Sequence, residues 1–100
     1  MRVLWTEQAF ARLAEIETYI AADDPEVARR FVAKLIRRAS RLAKAPDMGR
    51  WVPELPESKL REFLEGNYRI VYRVRGRTIQ VLTVFEGHRR FPARDLPDEE

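Results

Sequence analysis

There is no cysteine in this chain of 100 residues, and only one histidine. Without thiols a disulfide or a thiolate zinc site is excluded, and a single imidazole cannot build a multi-histidine metal centre within one chain. Glycine is scarce, with four residues. The stretch "GRWVPELPE" that begins at Gly49 lacks the glycine spacing and the Lys-Ser/Thr pair of a phosphate loop. The only serines are Ser40 and Ser58, and neither can be placed with a histidine and an aspartate as a hydrolase triad. The opening "MRVLWTEQAF" has no apolar run of signal-peptide length, and nothing approaches the ~20 residues of a membrane span. The expectation is a cytoplasmic protein with no metal, no cofactor and no membrane partner. At 45% hydrophobic content, residues 1–100 make one small domain, with residues 92–100 expected as a flexible, acidic tail.

What is abundant is positive charge, unevenly placed. The net charge is +3, yet residues 1–26 hold two basic and six acidic side chains while the remainder holds seventeen basic and ten acidic. A basic body behind an acidic front suits contact with nucleic acid or an acidic protein.

The pattern of apolar residues predicts an α+β fold in the order β-α-α-β-β-β. Met1 to Trp5 reads as an edge strand. Thr6 caps a helix whose apolar face is Ala9, Leu13, Ile16 and Ile20. Asp24 followed by Pro25 starts a second helix, with Ala28, Phe31, Leu35, Ala39 and Leu42 on its apolar face. The other face of that helix is cationic, and no acidic residue lies between Val27 and Ala45. In a helical hairpin the acidic side of the first helix can neutralise it. "PDMGRWVPELPES" is an irregular connection, with Trp51 folded over a sheet or helix face. Lys59–Glu65, Tyr68–Val74 and Thr78–Glu86 then form an antiparallel meander through the turns "GN" and "RGR". Strict alternation puts Tyr68, Ile70, Tyr72 and Val74 against the helices, and Arg69, Val71 and Arg73 on an exposed face. In the last strand Ile79, Val81 and Phe85 oppose Leu82 and Val84.

Chemistry is sought in the cations. Arg61 and Arg69 sit on adjacent strands, with Arg73 beyond, and His88, Arg89 and Arg90 close the last strand. Like charges so placed destabilise a sheet unless an anion, an acidic partner, or Glu62, Glu65 and Glu86 nearby balance them. His88 is the one side chain with an ordinary pKa near neutrality, hence the obvious acid or base of any nuclease mechanism.

Taken together, "WTEQAFARLAEIETYIAADDPEVARRFVAKL", "APDMGRWVPEL", "LREFLEGNYRIVYRV" and "IQVLTVFEGHRRFP" resemble the toxins of the ParE/RelE superfamily of bacterial type II toxin-antitoxin pairs. The resemblance covers nearly the whole chain and implies the same element order. It also implies a cognate antitoxin that wraps and neutralises the toxin in a hetero-oligomer, with any DNA contact made through the antitoxin. RelE-like members are ribosome-dependent mRNA endonucleases; ParE-like members inhibit DNA gyrase without being nucleases. The arginine of the "YRLVY"-type strand in RelE-like enzymes matches Arg69, and the one after the last strand matches Arg89 or Arg90. Where those enzymes carry lysines this chain has Leu60 and Glu62, and Phe91 stands where a functional tyrosine would be wanted. Some relatives use a histidine and a glutamate, which points to His88 and Glu54.

The ParE branch is the closer resemblance. It implies a gyrase inhibitor with Arg61, Arg69, Arg73, His88, Arg89 and Arg90 as target-contact candidates. The alternative is an mRNA endonuclease using Arg69, His88, Arg90 and Glu54. A further alternative is a non-toxic antitoxin-binding module. Candidate antitoxin contacts are Phe10, Tyr19, Arg30, Lys34, Arg37, Trp51 and Phe63.

Overall fold

The computed structural model describes residues 1–97. Its elements are β1 (Arg2–Trp5), α1 (Glu7–Ala21), α2 (Pro25–Ser40) with a 3-10 turn (Arg41–Ala43), β2 (Arg50–Trp51), β3 (Arg61–Glu65), β4 (Tyr68–Arg75), β5 (Thr78–Glu86) and a second 3-10 turn (Ala93–Asp95). The expected order is found, with β2 as a two-residue addition inside the connection. The sheet runs β1-β5-β4-β3-β2, parallel between β1 and β5 and antiparallel elsewhere.

Local chemistry sets the boundaries. The Thr6 hydroxyl accepts from the Ala9 N–H at 3.1 Å, and a carboxylate oxygen of Asp24 accepts from the N–H groups of Glu26 and Val27. Both caps satisfy donors that a helix start leaves open. The turns after β3 and β4 use Gly66 at φ 58° and Gly76 at φ 61°, a region that costs glycine no Cβ clash.

Both helices cover one face of the sheet. Ala9 and Leu13 of α1, with Leu35 and Ala39 of α2 and Leu42 beyond it, pack on Phe63, Ile70, Tyr72, Ile79, Val81 and Val84. The opposite face was expected to be open and is not. Val52 and Leu60 of the connection close over Val71, Leu82 and Phe85, with Leu55, Phe91 and Leu96 partly buried against them. Val71 is fully buried and Arg69 is only 8% exposed.

A bulge explains the remaining difference. Val71 pairs with Thr83 but Tyr72 with Val81, which leaves Leu82 as an extra residue on β5. The inserted residue reverses the alternation beyond it. Val84 therefore joins Ile79 and Val81 in the helix-side core, while Phe85 faces the outer side with Leu82. The strict alternation predicted from sequence had these two residues the other way round.

The segment after β5 carries the second 3-10 turn. Within it Asp95 is 6% exposed and Leu96 is partly buried against the outer cluster, while Ala93, Arg94 and Pro97 are exposed. The last three residues of the expected tail lie outside the described residues.

One close approach holds β2 in place. Gly49 donates its N–H to the Tyr72 hydroxyl at 2.9 Å, and that hydroxyl donates to the Pro46 carbonyl. A Cβ at Gly49 would stand 2.6 Å from the Glu62 carbonyl oxygen and 2.7 Å from the Tyr72 hydroxyl oxygen. Gly49→Ala is expected to cost about 1–2 kcal/mol by pushing β2 off β3. A thermal melt indistinguishable from wild type would show that the connection simply moves aside.

Candidate functional site

The outer face of the sheet is built around Arg69. Its Nη1 and Nη2 donate to the two carboxylate oxygens of Glu54 at 2.7 and 2.6 Å, and its Nε donates to Glu62 at 2.9 Å. Glu62 is fully buried and also binds Arg50, through the arginine Nε at 2.7 Å and Nη2 at 2.6 Å. The Arg69 guanidinium lies 4.8 Å from the centre of the Phe85 ring and 5.8 Å from that of Phe91. Hydrogen bonding to Glu54 raises the Arg69 pKa above its ordinary value, and the same contact lowers that of Glu54. Charge-assisted bidentate pairing of this kind is the strong form of the interaction.

This geometry separates the expected cation cluster. Arg69 is enclosed, and its bonded nitrogens are spent on carboxylates. Arg61 shares the parity of Phe63, toward the helix side; its guanidinium stacks 3.7 Å from the Trp51 ring centre and donates to the Gly49 carbonyl at 2.7 Å. Arg73 donates to Gln80 at 2.7 Å. Opposite Arg69 on β3 stands Leu64, not Arg61. Local carboxylates pair with part of the cations: Glu62 with Arg69 and Arg50, Glu54 with Arg69, and Glu65 with Lys34 and Arg38.

His88, Arg89 and Arg90 do emerge together, on the turn after β5, all exposed. The His88 ring Nδ1 lies 3.0 Å from Glu86, and its side chain is 82% exposed. The bond from His88 lowers the Glu86 pKa.

Arg89 and Arg90 line a groove of about 760 Å³ between α1 and the segment that follows β5. Arg94, Tyr19, Tyr68 and Phe91 also line it. Among the described residues Arg89, Arg90 and Arg94 enter no ion pair. The groove is bounded by a second buried network that the sequence did not reveal. Arg12 of α1 donates to both oxygens of Asp95 at 2.8 and 2.9 Å, and the Thr83 hydroxyl donates to Asp95 at 2.9 Å. Hydrogen bonding to Arg12 holds the Asp95 carboxyl below the usual carboxylate range. An aspartate in a polar tail carried no signal of this role, because its partners lie 83 and 12 residues away.

The antitoxin-contact candidates divide in the same way. Phe63 is 6% exposed and belongs to the core, beneath the Arg38 guanidinium; it is a correction to the expected surface. Phe10 is 54% exposed and stacks on Trp5, Tyr19 is 77% exposed, and Trp51 is 52% exposed. Arg30 and Arg37 are exposed, and Lys34 pairs with Glu65 at 3.2 Å. The expected neutralisation of α2 by α1 does not occur: among the described residues no ion pair joins the two helices. No helix among them is long and apolar enough to cross a membrane.

As a catalytic centre the arrangement is poor. The arginine that would hold a phosphate is locked by carboxylates, the Glu54 carboxylate is engaged by that same arginine, and His88 sits on an exposed turn. A pentacoordinate phosphate needs preorganised, unspent donors at the reacting atom.

Comparison with known proteins is consistent with this picture. The family model described as the ParE toxin of the type II toxin-antitoxin system parDE matches residues 3–91. A protein of Sinorhizobium fredii named "Putative toxin Y4kP" is 35% identical over 91 residues, covering 91% of this chain and 93% of its own. A solved structure described as the chromosomal ParDE TA system from P. aeruginosa superposes with a TM-score of 0.72 at 27% identity, over 86% of this chain and 95% of the other. The chain thus belongs to the ParE family of type II toxin-antitoxin toxins.

Proposed function

We propose that this toxin inhibits growth in the cytoplasm by binding DNA gyrase through protein contact, and that a cognate antitoxin neutralises it. The observation that carries the reading is the enclosure of Arg69 between Glu54 and Glu62. A nuclease of this fold would need that guanidinium free for phosphate; here its liberation would expose a fully buried carboxylate. Membership of the ParE family supports gyrase as the target, and likeness to a ParDE system supports the antitoxin as partner. The groove lined by Arg89, Arg90 and Arg94, with Tyr19 at its wall, offers cations and an aromatic anchor to a protein segment.

The purified toxin is expected to inhibit supercoiling by gyrase while leaving translated mRNA intact, and to arrest growth when expressed without antitoxin. Ribosome-dependent mRNA cuts that disappear in Arg90→Ala would replace this reading with the endonuclease. Unaffected growth together with uninhibited gyrase would leave only an antitoxin-binding module.

A further inference from the structure

The cationic face of α2 is not accounted for by the fold or by the groove. Arg30, Lys34, Arg37, Arg41 and Lys44 follow one another at spacings of four, three, four and three residues, which aligns them in one stripe along the helix and the turn that extends it. All five are exposed. Glu26 is taken by Arg29, and Glu65 by Lys34 and Arg38. Among the described residues Arg30, Arg37, Arg41 and Lys44 enter no ion pair. The charge remains uncompensated by α1, as shown above.

We infer that this stripe is a contact surface for the phosphate backbone of double-stranded DNA. At a rise of 1.5 Å per residue it extends for about 20 Å, and duplex DNA carries one negative charge per ~1.7 Å of axis. The composition of the stripe discriminates between partners. A protein interface centres on aromatic or aliphatic anchors; here the stripe itself consists of cations, with Ala33 and Ser40 beside it, and the exposed large aliphatic residues of α2, Val27 and Ile36, stand outside it. Single-stranded nucleic acid is held by base stacking on aromatic side chains, and the one aromatic residue of α2, Phe31, is turned inward against Tyr68. What is left is positioning on a duplex without base reading. The choice of DNA over RNA rests on the gyrase reading, since gyrase holds duplex DNA; the charge argument does not.

The test is fluorescence anisotropy of a labelled 20-base-pair DNA duplex with the full toxin across a salt series. A logarithmic slope of about −3 to −4 is expected, equivalent to a loss of roughly 60- to 250-fold in affinity between 50 and 200 mM salt. The triple variant Arg30→Gln/Arg37→Gln/Arg41→Gln should flatten the slope by about 2 to 3, while Arg89→Ala/Arg90→Ala leaves it unchanged. Circular dichroism of the triple variant controls for folding, and among the described residues these exposed side chains enter no ion pair that the substitutions would remove. Absence of duplex binding at 50 mM salt, or binding indifferent to the triple variant, overturns the inference. So does tighter binding to polyglutamate than to the duplex, which would assign the stripe to an acidic protein. Equal affinity for an RNA duplex would overturn the choice of DNA. A toxin that binds DNA in this way but leaves supercoiling untouched would refute the gyrase target and leave the DNA surface standing.

Discussion

Arg69→Ala is expected to destabilise the protein by about 3–5 kcal/mol, because removing one partner of a buried ion pair leaves the other charge desolvated. In a domain of this size that corresponds to a fall of roughly 15 °C or more in melting temperature. Glu62 is the group left exposed to the penalty: it is fully buried, and its remaining partner, Arg50, has a side chain 57% exposed. The packing of the guanidinium stem beneath Phe85 and Phe91 is lost as well. The same logic predicts a rescue. Glu62→Leu combined with Arg69→Met removes both charges and returns apolar volume, and should melt within about 1–2 kcal/mol of wild type. An Arg69→Ala variant that melts within a few degrees of wild type would show the network to be dispensable. The consequence for assays is direct: loss of toxicity in Arg69→Ala reports folding, and the double replacement distinguishes a folding role from a contact role.

The second large effect is expected at Asp95. Asp95→Ala leaves the Thr83 hydroxyl without its acceptor and Arg12 without its main carboxylate, at a cost of about 2–4 kcal/mol. The Asp95 side chain is 2% exposed and that of Arg12 29%, so relaxation into water is open only to the arginine. Because this contact ties the segment after β5 to α1, its loss should also free that segment locally. Trypsin should then cut after Arg94 faster than in wild type by more than the global destabilisation explains. Equal cleavage rates at matched stability would remove the tether.

A pH dependence follows from the same bond. The Asp95 pKa is depressed in the folded protein, so its stabilisation is complete above the unfolded value of about 4 and is lost as pH falls through the folded value. Glu54, depressed by Arg69, acts in the same direction. The melting temperature should therefore hold from neutrality down to the unfolded carboxylate pKa and fall below it, with a shallower fall in Asp95→Ala. A variant whose acid limb matches wild type would place the titration elsewhere.

Much of this molecule is legible in its residues. Helix starts at Thr6 and at Asp24-Pro25, the turns at Gly66 and Gly76, and the inward face of Tyr68, Ile70 and Tyr72 are local matters, set by caps, φ preferences and alternation within a few residues. The resemblance of "LREFLEGNYRIVYRV" to toxin sequences was likewise legible without coordinates. Of the three glutamates expected to balance the strand cations, Glu62 does so for Arg69, whereas Glu65 pairs with Lys34 and Arg38 of α2.

The fate of the second face of the sheet was decided only by tertiary structure. Alternation tells which residues share a face but not what covers it, and the cover comes from Val52, Leu60, Phe91 and Leu96, far from Val71 in sequence. One bulge residue at Leu82 reversed the facing of Val84 and Phe85, since a period of two has no tolerance for an insertion. With that face closed, Arg69 became a buried partner of two carboxylates instead of an exposed candidate for phosphate, and Asp95 became the buried acceptor for Arg12 and Thr83. Charge in sequence sets what a side chain can bind; whether it is still free to do so depends on desolvation and on partners that only the folded chain brings within 3 Å.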